Sequence, residues 1–102
     1  MAGIKQVDRV ICRTPSPGKK GVTRIPKWKF ECIRKAILTS LMENQIPFVE
    51  LTDTVRKRLS SEELNNMGSL GWHVTTVKLE LEVRGEIRRL PQKGKQIIEI
   101  VE

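Results

Sequence analysis

Residues 71–101, GWHVTTVKLELEVRGEIRRLPQKGKQIIEIV, decide the fold class of this chain. Val74, Val77 and Leu81 recur at spacings of three and four residues, which places them on one face of a helix. Gly85 follows soon after, and glycine readily adopts the left-handed conformation that ends a helix. The first half of the stretch therefore predicts a helix that stops at this glycine.

The helix is expected to cover residues 72–84, and two short strands are predicted to follow it. Residues 87–90 and 96–101 are rich in branched aliphatic side chains, which strands favour. The turn at residues 91–95, PQKGK, separates them and carries two lysines. A helix, a glycine and a hairpin with a cationic tip form the order typical of the C-terminal half of a winged helix-turn-helix domain. That half normally carries both nucleic-acid-reading elements of such a domain.

Two further helices are predicted upstream of this stretch. Pro26 suits the first turn of a helix, and apolar residues spaced by three and four follow it up to about Asn44. The same spacing recurs over residues 48–59 and predicts a second helix. Ser60 and Glu63 match a capping box, which predicts a short helical turn. The expected fold class is α+β, a winged helix-turn-helix with three helices, a small C-terminal β-hairpin wing and a basic N-terminal arm.

These elements are expected to share one hydrophobic core, formed by apolar positions at helical and strand spacing. Its predicted members are Phe30, Ile33, Ile37, Leu41, Phe48, Val55, Leu59, Val74, Val77, Leu81, Ile87 and Ile98. Residues 46–48 are expected to form a tiny strand, which Pro47 confines to a sheet edge. Trp28 and Trp72 stand at the starts of helices, where each indole either packs on the core or stacks on a ligand.

Positive charge is concentrated near the N-terminus. The chain of 102 residues has a net charge of +7, and residues 1–30 contain eight basic residues against one acidic residue. Residues 31–102 are balanced, with eleven of each sign. We therefore expect a basic arm over residues 1–25 and a winged-helix domain over residues 26–102. Such an arm favours a polyanionic partner through phosphate neutralisation; the alternative is a solubilising segment that packs partly along the domain.

The chain offers few of the parts that catalysis, metal binding or membrane insertion require. It has one histidine and no tyrosine, and its carboxylates occur at salt-bridge spacing on helix faces. Cys12 and Cys32 are far apart and are expected to remain free thiols in a reducing cytoplasm. No apolar run approaches the ~18 residues that span a bilayer. We expect a cytoplasmic protein without enzymatic activity, cofactor or metal.

Several segments of the chain carry a family resemblance. They are PGKKGVTRI at 17–25, FVEL at 48–51, GSLGWHVTTVKLELEVRGEIRR at 68–89 and KQIIEI at 95–100. These segments resemble a small, uncharacterised bacterial winged-helix family with the pattern PGKxGxRI in the arm and VKLDLEARGxIxR in the last helix. The resemblance covers roughly residues 13–101 and implies the fold without implying an activity. The chain departs from the pattern at His73, where an aromatic residue is common, and at Pro47, where a threonine would cap the second helix.

A winged-helix fold places the helix of residues 72–84 in the major groove, with its outward face toward the base edges. The outward or oblique positions of this helix are expected to be His73, Thr75, Thr76, Leu79 and Glu80. The arm and the hairpin tip would meet the phosphate backbone. The residues expected to contact double-stranded DNA are Lys19, Lys20, Arg24, His73, Thr75, Thr76, Lys78, Arg88, Arg89, Lys93 and Lys95. Because Glu80 and Glu82 offset the nearby cations, we expect weak sequence specificity.

A second class of function remains open, a protein-interaction module without DNA binding. Strand alternation places Ile98 and Ile100 on one face of the last strand, and Ile97 and Val101 on the other. An exposed apolar edge strand tends to pair with another chain. This alternative therefore predicts a homodimer through the C-terminal strand, and neither alternative predicts a membrane partner.

Overall fold

The computed structural model describes residues 8–15, 22–92 and 94–101. Within these ranges the chain forms four helices and two small antiparallel sheets. In chain order the elements are β1 (Arg9–Cys12), β2 (Thr23–Pro26), α1 (Lys27–Glu43), β3 (Ile46–Pro47), α2 (Phe48–Arg56), α3 (Ser61–Met67), α4 (Leu70–Arg84), β4 (Ile87–Gln92) and β5 (Lys95–Ile100). The α+β class expected from the sequence is confirmed.

Helix α1 follows the predicted pattern closely. Pro26 is its N-cap residue, with a φ of −56°, and the helix runs to Glu43. The backbone N–H of Asn44 donates to the carbonyl of Ser40 and ends the last turn. Its apolar residues at helical spacing, Phe30, Ile33, Ile37 and Leu41, are all buried. The amphipathic pattern therefore predicted both the bounds of α1 and its inward face.

The helix count was wrong, because the segment expected to make only a short turn forms α3. Both hydrogen bonds of the capping box are present: Glu63 N–H donates to Ser60 Oγ at 3.0 Å, and Ser60 N–H donates to Glu63 Oε1 at 2.8 Å. Met67 at the other end of α3 is fully buried. Gly68, with a φ of 84°, then ends the helix in a conformation that favours glycine. Capping at one end and burial at the other stabilise a short helix that has little periodicity of its own.

Helix α4 begins two residues before the predicted start and ends where expected. The hydroxyl of Ser69 accepts a hydrogen bond from Trp72 N–H at 3.3 Å, which caps the N-terminus. At the other end Gly85 is left-handed, with a φ of 78°. The next N–H, that of Glu86, donates to the carbonyl of Leu81. The C-terminal stop predicted at Gly85 is therefore confirmed.

The C-terminal hairpin belongs to a three-stranded sheet in the order β3-β5-β4. Ile98 of β5 lies opposite both Ile46 of β3 and Arg89 of β4. The strand β5 is thus central rather than an edge strand. The expectation that β5 presents a free edge is wrong over Ile97 and Ile98, because β3 pairs with it there.

The described part of the basic arm is a two-stranded ribbon, β1 with β2, in which Val10 pairs with Ile25. Cys12 and Ile25 point inward and are buried in the same core as the helices. Arg9, Ile11 and Arg24 are exposed, as strand alternation requires. The ribbon therefore packs as an integral part of the domain.

The predicted core is largely confirmed. Ten of its twelve residues are buried, and the other two, Phe48 and Leu59, are half-buried and pack against the core. The core also contains residues that the sequence analysis did not include: Cys12, Ile25, Ala36, Ile46, Leu51, Met67 and Leu70. Most of them depend on the ribbon, on β3 or on α3, whose packing no local pattern specified.

Two smaller observations bear on chemistry. The thiols of Cys12 and Cys32 are free, and burial raises the pKa of each to about 11, which keeps both protonated at neutral pH. No helix in the described ranges is long and apolar enough to cross a membrane.

Candidate nucleic-acid interface around helix α4

Helix α4 presents three kinds of surface. Val74, Val77 and Leu81 face the core and are fully buried. On the opposite side lies a stripe of uncharged residues that we call the outward stripe: Trp72, Thr75, Thr76, Leu79 and Val83. Trp72 is 48% exposed, and the other four are half-buried. Charged residues lie along both flanks between the core face and the outward stripe.

On one flank, Glu80 holds the β1 side of the molecule against α4. Its carboxylate accepts hydrogen bonds from the backbone N–H of Arg13 at 2.9 Å, and from Nε and one terminal nitrogen of the same residue at 3.0 and 2.7 Å. Arg84 Nε donates to it as well, at 2.9 Å. Burial by itself would raise the pKa of Glu80, but these hydrogen bonds outweigh it and lower that pKa to about 2. Glu80 is therefore ionised at any physiological pH.

On the other flank, Lys78 and Glu82 form an ion pair that is almost closed to solvent. The two side chains are 2% and 6% exposed, and Lys78 Nζ lies 2.6 Å from Glu82 Oε2. The ammonium also donates to Gln96 Oε1 at 3.2 Å and lies over the ring of Phe48. Burial lowers the pKa of Lys78, and the neighbouring Glu82 opposes that shift. Arg89 Nε lies 3.3 Å from the second oxygen of Glu82.

Each flank thus contains two cations around one buried carboxylate. We call these sets the cationic borders of α4, the first formed by Arg13, Glu80 and Arg84 and the second by Lys78, Glu82 and Arg89. The carboxylates are at most 6% exposed, whereas the three arginine side chains are between 35% and 52% exposed. Both borders therefore carry excess positive charge, and the arginines present it to solvent.

The structure corrects three of the orientations expected along α4. Lys78 and Glu80 are buried rather than accessible, because each is drawn into an ion-pair cluster at the flank of the helix. His73 is 9% exposed, and its Nδ1 lies 2.7 Å from the carbonyl of Ser69. Thr75 and Thr76 remain on the outward stripe, half-buried. Of the predicted base-contacting residues, only the two threonines lie where a ligand of α4 would meet them.

The two arginines of strand β4 are separated by strand alternation. Arg89 reaches the second cationic border, whereas Arg88 pairs with Glu99, which also accepts a hydrogen bond from Gln45. Lys95 near the hairpin turn is exposed, as is Arg24 on β2. The expected contacts Lys19, Lys20 and Lys93 lie outside the described residues.

Sequence reasoning missed two cations of the interface, Arg13 and Arg84. Arg84 had a local signal, since Glu80 precedes it by four residues, the spacing of a helical ion pair. Arg13 had none, because 67 residues separate it from Glu80. Trp72 was left open between packing and stacking. Its ring meets that of His73 edge to face, at a centroid distance of 4.8 Å, and stays accessible on the outward stripe.

The remaining observations concern metal ligands and relatives of the chain. Among the described residues, no group of histidine, cysteine or acidic side chains is arranged to hold a metal ion. No curated protein and no solved structure matches the chain. A model of a family of unknown function matches residues 9–97, a segment that includes both cationic borders. The chain therefore belongs to this family of unknown function, DUF6958, which confirms the expectation of an uncharacterised family.

Proposed function

We propose that this protein is a DNA-binding protein of the winged-helix type. In this proposal the outward stripe of α4 enters the major groove, and the cationic borders bind the phosphates on either side of the groove. The exposed cations of the ribbon and the wing, Arg24 and Lys95, extend these contacts along the backbone.

The observation that carries the proposal is the placement of positive charge on both flanks of one uncharged helix face. The major groove is about 12 Å wide, admits a single helix and is bordered by a row of phosphates on each side. A helix that lies in it contacts the base edges with its outer face and the phosphates with cations at both edges. The arginines of the two borders, Arg13 and Arg84 on one flank and Arg89 on the other, supply that pattern.

The order of the elements supports the same proposal. Helix α4 is followed by the hairpin β4–β5, and the short strand β3 between α1 and α2 pairs with β5. In winged-helix domains the last helix before such a hairpin reads the major groove, and the hairpin contacts the backbone. Here the hairpin carries Arg89 on the side of α4.

The test is the affinity of the full chain for a duplex of about 20 base pairs, measured by fluorescence anisotropy. Arg89→Gln and Lys95→Gln should each weaken binding and flatten the dependence of log affinity on log salt by about 0.9 for each phosphate that the variant no longer neutralises. The matched control is Arg56→Gln on α2, an arginine of similar exposure (51% against 43% for Arg89) that pairs with Asp53. Equal losses in Arg56→Gln and Arg89→Gln would assign binding to net charge alone and contradict a role for α4.

A second candidate function is a protein-interaction module, favoured by the apolar content of the outward stripe. Trp72 is 48% exposed, and the half-buried Leu79 and Val83 lie on the same face of the helix. This candidate includes self-association through a groove of about 400 Å³ beside the end of β5, in which a second copy of the chain would bind. Two apolar residues, Met42 and Val101, line this groove and are 73% and 39% exposed. Sedimentation at micromolar concentration tests it: a monomer that is unchanged in Val101→Lys excludes the homodimer.

A further inference from the structure

We infer that α4 reads the methyl groups of pyrimidines in the major groove, so that the protein prefers thymine-rich duplexes. This inference rests on the proposed function and specifies what the outward stripe recognises. The groups concerned are the C5-methyl of thymine and, at the equivalent position of cytosine, the methyl of 5-methylcytosine.

The outward stripe lacks the side chains that make bidentate hydrogen bonds to guanine and adenine. Direct readout of guanine and adenine uses arginine, lysine, asparagine or glutamine in bidentate contacts. None of these residue types occurs on the outward stripe, whose five members are all described. The charged residues that adjoin the stripe in the sequence, Lys78, Glu80, Glu82 and Arg84, are held at the flanks by ion pairs. Hydrogen bonds from the stripe to bases are therefore limited to the hydroxyls of Thr75 and Thr76 and the indole N–H of Trp72, none of which makes a bidentate contact.

The outward stripe presents mainly apolar groups. Thr75, Thr76, Leu79 and Val83 offer methyl groups, and Trp72 offers a half-exposed indole. Among the four bases only thymine carries a methyl group on its major-groove edge, and apolar side chains contact it. Burial of one methyl group between such surfaces changes affinity by about fourfold. A helix with this surface therefore distinguishes bases mainly by the presence of that methyl.

The charge at the edges of the outward stripe determines which ligand can cover it. The cationic borders lie beside the C-terminal half of the outward stripe, one on each side, with arginines that are 35% to 52% exposed. A ligand that covers the stripe must therefore bring negative charge to both of its edges and apolar groups to its centre. Two phosphate strands on either side of thymine methyls meet both requirements.

The experiment compares duplexes of three base compositions and the same length in competition anisotropy with the full chain. The first contains thymine, the second contains deoxyuridine at every thymine position, and the third is a guanine–cytosine duplex with and without 5-methylcytosine. Replacement of thymine by deoxyuridine removes methyl groups and leaves base pairing and phosphate charge intact. We expect the deoxyuridine duplex to bind at least about fourfold more weakly, with the same salt dependence, and 5-methylation to strengthen binding of the third duplex.

A conservative variant locates the effect on α4. Thr76→Ser removes one methyl group and keeps the hydroxyl, and should reduce the preference for thymine over deoxyuridine without a change in the salt dependence. Thr39→Ser is the matched control, since Thr39 is also half-buried but lies on α1, which packs on the core side of α4. An unchanged preference in Thr76→Ser, or the same loss in Thr39→Ser, would count against readout by the stripe.

The experiment distinguishes a failure of methyl recognition from a failure of DNA binding. Equal affinity for the thymine and deoxyuridine duplexes, with binding intact, would overturn methyl recognition and leave DNA binding in place. Failure to bind any duplex at ~50 mM salt, where electrostatic association is strong, would overturn both, and the outward stripe would then be left to a protein partner.

Discussion

Arg13 donates three hydrogen bonds to the buried carboxylate of Glu80, although 67 residues separate the two in the sequence. This contact joins the N-terminal ribbon to α4 and offsets the charge of a carboxylate that would otherwise repel the DNA proposed to bind there. It also leaves the guanidinium half-exposed. The same contact therefore stabilises the fold and shapes the charge of the candidate interface.

The first prediction concerns acid stability. The pKa of Glu80 is about 2 in the folded protein against an ordinary value of 4.5, so its contribution to stability is present above pH 4.5 and is lost as the pH falls toward 2. At ~1.4 kcal/mol per pKa unit, that contribution is at most about 3 kcal/mol. Denaturant unfolding between pH 7 and 2 should show a smaller acid-induced loss in Glu80→Gln than in the wild type. The exposed-pair variant Glu31→Gln should keep the wild-type profile; identical profiles for all three proteins would refute the assignment.

The second prediction compares two Lys–Glu pairs with the same spacing of four residues. Lys78→Met should lower the free energy of unfolding by about 3 kcal/mol, because the buried Glu82 then keeps only Arg89. Lys27→Met should cost less than about 0.5 kcal/mol, since its pair with Glu31 is exposed. Chemical denaturation of both variants checks the contrast, and equal costs would contradict the burial of the Lys78–Glu82 pair.

The third prediction concerns two glycines of α4 and its cap. Gly85→Ala should destabilise the fold by roughly 1–2 kcal/mol, because Gly85 has a φ of 78°. Gly71→Ala should have the opposite sign and stabilise it by up to about 1 kcal/mol, since Gly71 lies in the helix with open space around its Cα. Thermal melts of the two variants give the signs directly. A stabilised Gly85→Ala protein would contradict the left-handed cap.

The fourth prediction concerns two leucines that differ in burial, one in α2 and one beyond its end. Leu51 is fully buried and Leu59 is half-buried beyond the end of the helix. Leu51→Ala should therefore cost about 2–5 kcal/mol of unfolding free energy, and Leu59→Ala clearly less. A larger cost for Leu59→Ala than for Leu51→Ala in urea unfolding would contradict this difference in burial.

The helices and strands could be predicted from the sequence more completely than the candidate interface around α4. The stop at Gly85 and the inward face of α4 follow from local patterns, because glycine conformation and helical spacing depend on nearby residues. The burial of Lys78 and Glu80 does not, since either residue would lie at an exposed flank if β5 and the ribbon did not cover it. Each border thus combines a helical pair at a spacing of four residues with an arginine from outside α4, and only the Arg13 contact is distant in the sequence. The outward stripe contains Thr75 and Thr76 as expected.

The most direct test of the central claim is a salt titration of duplex DNA binding by the full chain. If the borders, ribbon and wing make about five phosphate contacts, log affinity should fall with log salt with a slope of roughly −4 to −5. Anisotropy measured from ~50 to ~200 mM salt covers the range in which exposed charges are progressively screened. A slope in that range is the result we predict. No binding at the lowest salt, or an affinity that does not change with salt, would contradict the assignment of α4 and its cationic borders to DNA.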